Sequence, residues 1–393
     1  MTSSDVVVAR LPWDAADPYP FYEERRRAGD VGWDDTAQGW LVLGYESARQ
    51  VLGGQDWTSD PMTNQIARAG LDPISLQFSA RSMLVSDGAV HQRLRGSVSD
   101  VFTRGFIGGL TEGVESIASV LVDEPTAGVE FDFMSRIALP IPVCVIAEWL
   151  GLDAGTTELL AELSPTIIRM LGTLADTADT RAGTAAAAEL MGEFLPLAAD
   201  RRRNPRDDLL SFIAGDPELE LEDVVFTAVL IAVAGHETTA NLLGTAMIRL
   251  LGNRQDGTRL IDRIEPEDPA VVTELLRLDS PVQAVLRTAT RDTRIGEAKI
   301  AAGATALVVV AAANRDPAVF AEPDTFRLDR TGPAPLTFGY GAHHCLGASL
   351  ARLEIATALS KIVARRPVLA GQPEWRDTPA IRGASRVPVV FTA

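Results

Sequence analysis

The chain is poor in cysteine, with only Cys144 and Cys345 in 393 residues. Two cysteines cannot build a disulfide framework, so a reducing, cytoplasmic setting is expected. Positive charge is also scarce. Lys and Arg number 36 against 53 Asp and Glu, a formal net charge of −17. A sequence-independent nucleic-acid binder needs the opposite balance, and anionic membrane surfaces are disfavoured on the same ground. No run of about 18 apolar residues occurs, so no membrane-spanning helix is expected. Residues 1–11 lack a basic start followed by an apolar stretch, so no signal peptide is expected either. Histidine numbers four. With so few cysteines, the run His343-His344-Cys345 does not complete a four-ligand zinc site.

What remains is ordinary globular composition, 46% apolar and 23% charged. The length suits one large fold that buries a core. Helical spacing runs over residues 18–29, 45–52, 91–102, 116–122, 154–163, 182–203, 221–251, 270–278 and 348–365. Residues 31–33 and 40–43 flank Ala37-Gln38-Gly39 as a hairpin. Residues 290–310 alternate and are β-branched, reading as strands around Gly303. Residues 58–83 show no clean period, and residues 316–335 are irregular and Pro-rich. The expectation is a mainly α fold with a small β-sheet region, one domain over 1–393.

The most informative segment is Phe338-Gly339-Tyr340-Gly341-Ala342-His343-His344-Cys345-Leu346-Gly347. Its glycines permit a tight turn, and a helix begins just after the cysteine. A helix N-terminus favours negative charge, so a Cys345 thiolate is expected, tuned by the N–H groups of Leu346 and Gly347. The segment resembles the haem-binding loop of the cytochrome P450 family, Phe-Gly-x-Gly-x-His-x-Cys-x-Gly, with every fixed position filled. By that resemblance Cys345 is the axial iron ligand, Phe338 packs against it and His343 reaches a haem propionate. Cys345, Phe338, His343 and Gly347 are thus cofactor-binding. No Cys-x-x-Cys-His occurs, so the implied haem b is held without covalent attachment.

Ala234-Gly235-His236-Glu237-Thr238-Thr239 lies midway along an apolar helix. A buried carboxylate there needs a reason. Oxygen activation needs protons delivered without flooding the site, and an acid beside a hydroxyl can relay them. The stretch looks like the P450 oxygen-binding motif Ala-Gly-x-(Asp/Glu)-Thr. The match gives Thr238 the hydroxyl role and Glu237 proton delivery, with His236 pointing away. Read alone, Thr238 would back-bond a helix carbonyl.

Glu274 and Arg277 sit at i, i+3 on one helix face, by itself a weak signal. The pair resembles the P450 Glu-x-x-Arg motif, which with a later arginine, here Arg330, braces the cysteine loop. Residues 86–95 resemble the P450 segment Asp-x-Pro-x-His-x-x-x-Arg, departing from it by Gly88-Ala89 at the usual prolines. By that resemblance His91 and Arg95 meet one propionate, and Arg287 meets the other. Arginine suits carboxylate partners.

The resemblance runs from about Trp13 to the C-terminus. It implies a monooxygenase that inserts one atom of O2 into an apolar small molecule, by hydroxylation or epoxidation. Electrons would come from an external ferredoxin and its NAD(P)H-dependent reductase, since no reductase segment is attached. Arg93, Arg104 and Arg352 are the candidate docking contacts. A peroxide-driven or oxidative-coupling member of the same fold, or a non-enzymatic haem sensor, are the rivals. The implied pocket includes Met62, Met83, Ile168, Val233, Ala234 and Val285, with Arg382 nearby. A monomer without nucleic-acid or membrane partners is expected.

Overall fold

The computed structural model describes residues 11–60, 63, 81–172, 177–252 and 257–393. Besides three short helices, Arg104–Gly108, Leu209–Ala214 and Val310–Ala313, ten longer helices organise them. These are α1 (Tyr19–Ala28), α2 (Tyr45–Gly53), α3 (Gly88–Ser99), α4 (Thr111–Asp123), α5 (Pro140–Leu150), α6 (Ala154–Gly172), α7 (Thr177–Arg203), α8 (Leu221–Leu251), α9 (Pro269–Leu278) and α10 (Ala348–Ala364). A five-stranded sheet has the order β1-β2-β8-β5-β3, built from Val31–Asp34, Gly39–Val42, Trp57–Thr58 (β3), Val285–Ala289 (β5) and Thr305–Val308 (β8). Strand β2 runs parallel to β8, while β5 is antiparallel to both β8 and β3. A second sheet joins β4 (Glu130–Asp132), β12 (Pro388–Phe391) and β9 (Pro367–Leu369). Two hairpins complete the set, β6–β7 (Thr293–Ile295, Ala298–Ile300) and β10–β11 (Glu374–Trp375, Ala384–Arg386).

The long helix α8 is the axle. Its N-terminus carries a capping box between Glu220 and Asp223, which satisfies two orphan N–H groups. Its first half packs into one apolar cluster through Val224, Val225, Ala228 and Ala232. Its second half packs into another through Leu242, Leu243, Ala246 and Leu250. A helix apolar on all sides belongs inside a core. By length and composition α8 could cross a membrane, but 72% of its most apolar window is buried inside the protein.

Three elements depart from the sequence reading. Helix α5 was not anticipated: nearly every side chain is buried, so no amphipathic period shows. Pro140 fits its first turn and Gly151, at φ 68°, ends it in the left-handed region. Helix α6 continues to Gly172 past Pro165, because packing along α7 outweighs one lost backbone bond. The strands after residue 365 were also missed, being short and set apart by irregular chain. Most of the stretch 58–83, including Met62, lies outside the described residues.

Candidate active site

The cysteine loop is shaped by backbone geometry. Gly339 and Gly341 have φ of 72° and 78°, conformations that favour glycine. The N–H of Cys345 donates to Phe338 O at 2.7 Å, and that of His344 to Gly341 O at 3.1 Å, closing the loop on itself. Phe338 packs against the second apolar cluster, with the Arg352 guanidinium 5.2 Å from its ring. Helix α10 starts three residues after the cysteine, capped by Gly347.

The Cys345 sulfur is accessible, yet the surrounding chain is dense. Desolvation pushes its thiol above the ordinary value, while the Gly347 N–H and the Arg95 charge pull it down. A cation coordinated at the sulfur would deprotonate such a thiol outright.

On α8, Ala234 is exposed and Thr238, one turn on, is half-buried, so the two share an accessible face. The Thr238 hydroxyl donates to Ala234 O at 3.2 Å. Glu237 turns elsewhere. It is 1% exposed, and its Oε2 accepts from Arg376 Nη1 at 2.8 Å. Arg376 follows β10, where its N–H bonds Gly383 O across the hairpin. His236 is buried with Nδ1 2.7 Å from Ala232 O, and burial lowers its pKa.

A cationic group gathers near the cysteine loop. His91 and Arg95 of α3 line a cavity of about 360 Å³ opposite Ala342. The rings of His91 and His343 lie 4.3 Å apart. His343 Nε2 is 2.9 Å from Asp87 Oδ1. Asp87 also accepts from the Thr58 hydroxyl and from Ser59 N at 2.8 Å. Burial raises the Asp87 carboxyl, but bonds from Thr58, His343 and Ser59 outweigh it and hold the group below its ordinary value. Arg95 donates to His344 O at 2.7 Å and Arg287 to Leu286 O at 2.7 Å. Desolvation lowers both guanidinium pKa values.

Beneath the loop lies the buried triad. Glu274 Oε1 meets Arg277 Nη2 at 2.7 Å and Arg330 Nε at 2.8 Å. The arginines donate onward to the carbonyls of Asn314, Pro323, Ala321, Glu322 and Thr325. Asn314 Oδ1 accepts from Leu336 N at 2.6 Å, two residues before Phe338. The triad therefore ties the irregular stretch 314–330 to the root of the cysteine loop.

The profile of the family described as Cytochrome P450 matches residues 269–371. The monooxygenase PikC of Streptomyces venezuelae is 33% identical over 95% of this chain and 91% of its own. The 6-deoxyerythronolide B hydroxylase of Saccharopolyspora erythraea is 32% identical over 89% of each chain. The chain belongs to the cytochrome P450 family. Among solved structures, P450BioI in complex with an acyl carrier protein ligated to hexadec-9Z-enoic acid superposes with a TM-score of 0.88. It is 29% identical, over 95% of this chain and 98% of that one. Mycobacterium smegmatis CYP164A2 in its ligand-free state gives a TM-score of 0.85 at 32% identity, covering 96% of each.

This P450 is thus a monooxygenase of the haem-thiolate class, whose cofactor is haem b. Its residues fit that group. Among the described residues, Arg95 and Arg287 have no ion-pair partner. The buried His91 Nε2 has no hydrogen-bond partner. Such orphans suit a ligand bearing two carboxylates.

Other expectations shift. Arg93 pairs with buried Asp223 at 2.7 Å, beside Arg81 at 2.6 Å. It braces α3 against α8 while its side chain stays 36% exposed. Arg104 and Arg352 do lie near each other. Met83, Ile168 and Val233 are buried within the largest apolar cluster of the described residues, while Ala234 is exposed and Val285 half-buried. Arg382 is packed behind the pocket region, 4.1 Å from the Trp375 ring and bonded to Ala16 O. Sequence reasoning missed Asp87 and Arg376. Asp87 was within the quoted segment at the N-cap of α3, a position whose residue type was a usable signal. Arg376 carries no local pattern at all.

Proposed function

We propose that this P450, as one domain over 1–393, inserts one atom of O2 into an apolar small molecule. The product is a hydroxylated or epoxidised compound. Electrons come from a ferredoxin and its NAD(P)H-dependent reductase in the cytoplasm, and the enzyme works as a monomer. What supports this reading is that a partly accessible hydroxyl, Thr238, and a buried acid, Glu237, stand next to each other in sequence on α8. A peroxide user has no need of such a relay.

Cys345 is the iron ligand in this reading, with Phe338 and the Gly347 N–H shielding and tuning its sulfur. His91, Arg95, His343 and Arg287 take the two propionates. When bound, the haem supplies oxygen activation, which the thiolate promotes by pushing electron density onto the iron. The protein manages protons. Glu237 is held by Arg376 and faces away from Thr238's accessible side. Arg376 is 21% exposed and Glu237 1%, so the guanidinium stands between the acid and bulk water. Arginine does not release its proton. Delivery therefore requires the Arg376 side chain to swing outward, letting Glu237 recharge from water. The Thr238 hydroxyl must then leave Ala234 O to pass the proton on. Glu274, Arg277 and Arg330 hold the loop in place. They do no chemistry.

The test is turnover of Thr238→Ala with a substrate found by its shift of the haem absorption band. Electron consumption should continue while product falls by about 100-fold or more, the low end of what one proton-transfer group typically contributes. Unchanged coupling of electrons to product removes the relay. Turnover supported by peroxide but not by reduced ferredoxin removes the O2 reading.

A further inference from the structure

Tyr340 occupies a variable position of the cysteine loop, so the relay and the haem contacts leave it unexplained. It is 40% exposed, unusual for a side chain this large. It is nonetheless held. Arg49 Nη2 donates to its hydroxyl at 2.9 Å, and the Arg49 guanidinium lies 4.6 Å from its ring centroid. The ring rests on the last residue of α2. A Cβ built on Gly53 would sit 2.9 Å from Tyr340 Cε1. Next to it, a Cβ on Gly341 would lie 2.8 Å from Leu52 O and 3.0 Å from Gly53 Cα. Two backbones therefore touch where α2 ends and the loop turns.

Helix α2 is a firm support. Ala48, Val51 and Leu52 are buried in its core face. Tyr45 N donates to Asp316 Oδ2 at 2.8 Å, and the Tyr45 hydroxyl to Ala334 O at 2.7 Å. The loop is gripped at several points, among them Phe338 in the apolar core, His344 O by Arg95, His343 by Asp87, and Tyr340-Gly341 by α2. The last of these acts on the turn that precedes Cys345.

We propose that Tyr340, clamped by Arg49 onto Gly53, is a positioning residue that seats the cysteine loop on α2 and so fixes where the Cys345 sulfur stands relative to the Gly347 N–H. The inference rests on the haem-thiolate reading. Gly53 has an ordinary helical conformation, so alanine there is strained only by the Tyr340 ring. That makes the steric contact separable from backbone effects.

The experiment uses the full-length, haem-loaded protein. The unaltered enzyme must first give the red-shifted carbon-monoxide band of thiolate ligation; if it does not, the haem-thiolate reading itself fails. Gly53→Ala, Tyr340→Ala, the double variant and Arg49→Gln are then compared with Gly192→Ala, an exposed site where a Cβ meets nothing. The readouts are the haem midpoint potential, the ratio of the blue-shifted to the red-shifted carbon-monoxide band, and the unfolding midpoint. Gly53→Ala should raise that ratio several-fold and move the potential. The double variant should fall back to the level of Tyr340→Ala alone. Arg49→Gln should shift both readouts in the same direction, less far, and it keeps the proposal testable should Gly53→Ala fail to fold. If Arg49→Gln and Tyr340→Ala leave potential and band ratio where Gly192→Ala leaves them, the proposal is overturned. Equal band ratios for Gly53→Ala and the double variant overturn it too.

Discussion

Replacing Glu354 by Gln should make the protein more stable in neutral and alkaline buffer. Glu354 lies on α10 facing α8, 1% exposed, and neither carboxylate oxygen has a hydrogen-bond partner. Burial pushes its carboxyl from 4.5 up to about 8. The Thr239 hydroxyl pulls weakly the other way, but that hydroxyl is committed to Gly235 O. The folded protein therefore keeps a proton that the unfolded chain gives up. Stability from such a group is full below the unfolded pKa and is lost as pH rises through the folded one. The difference, 8 minus 4.5, is 3.5. At 1.36 kcal/mol per unit this is about 5 kcal/mol, lost between pH of about 4.5 and about 8. Gln copies the protonated shape and cannot ionise. The assay is urea unfolding of both proteins across that range. The two should agree near the acid end and then diverge by about 3–6 kcal/mol at the alkaline end. Curves that fall in parallel, with a constant offset, would refute the assignment of a neutral carboxyl to this site.

Three further outcomes follow from the described contacts. Glu274→Ala strands Arg277 and Arg330 without their shared carboxylate, and unfolding should show a loss of about 3–5 kcal/mol; a loss below about 1 kcal/mol would mean the triad is dispensable. Arg287→Leu removes a half-buried guanidinium that lacks an ion-pair partner among the described residues. Haem titration should show affinity weakened by about 10-fold, the equivalent of one charged hydrogen bond, and unchanged affinity would exclude Arg287 from the propionates. Arg93→Ala should lower stability by about 1 kcal/mol, since its partner Asp223 keeps Arg81 and both arginines are partly exposed. Stopped-flow reduction by ferredoxin should be unaffected by Arg93→Ala yet slowed by charge reversal at Arg104 or Arg352; slowing by Arg93→Ala would restore that residue to the docking face.

Much of the fold was legible because periodicity reports burial on one side. The bounds of α8 match the apolar stretch read from sequence, and the β1–β2 hairpin flanks Gln38, whose φ of 49° marks the turn. Helix α5 was illegible for the converse reason. Buried on all sides, it shows no contrast between faces. The pocket side chains could not be told from core for a similar reason. Met83, Ile168 and Val233 are apolar in sequence, and apolar residues look alike whether they line a cavity or fill a core.

The cysteine loop needed no tertiary information, since its glycines, its cysteine and the following helix are contiguous and the turn is made by local dihedrals. The same holds for the i, i+3 pair Glu274–Arg277 and for Thr238 beside Glu237. What only the folded chain decided is which charge answers which. Glu237 finds Arg376 across 139 positions, and His343 finds Asp87 across 256. A buried charge must be matched wherever the backbone happens to bring a partner. That requirement acts through space and leaves no trace in the spacing of residues along the chain.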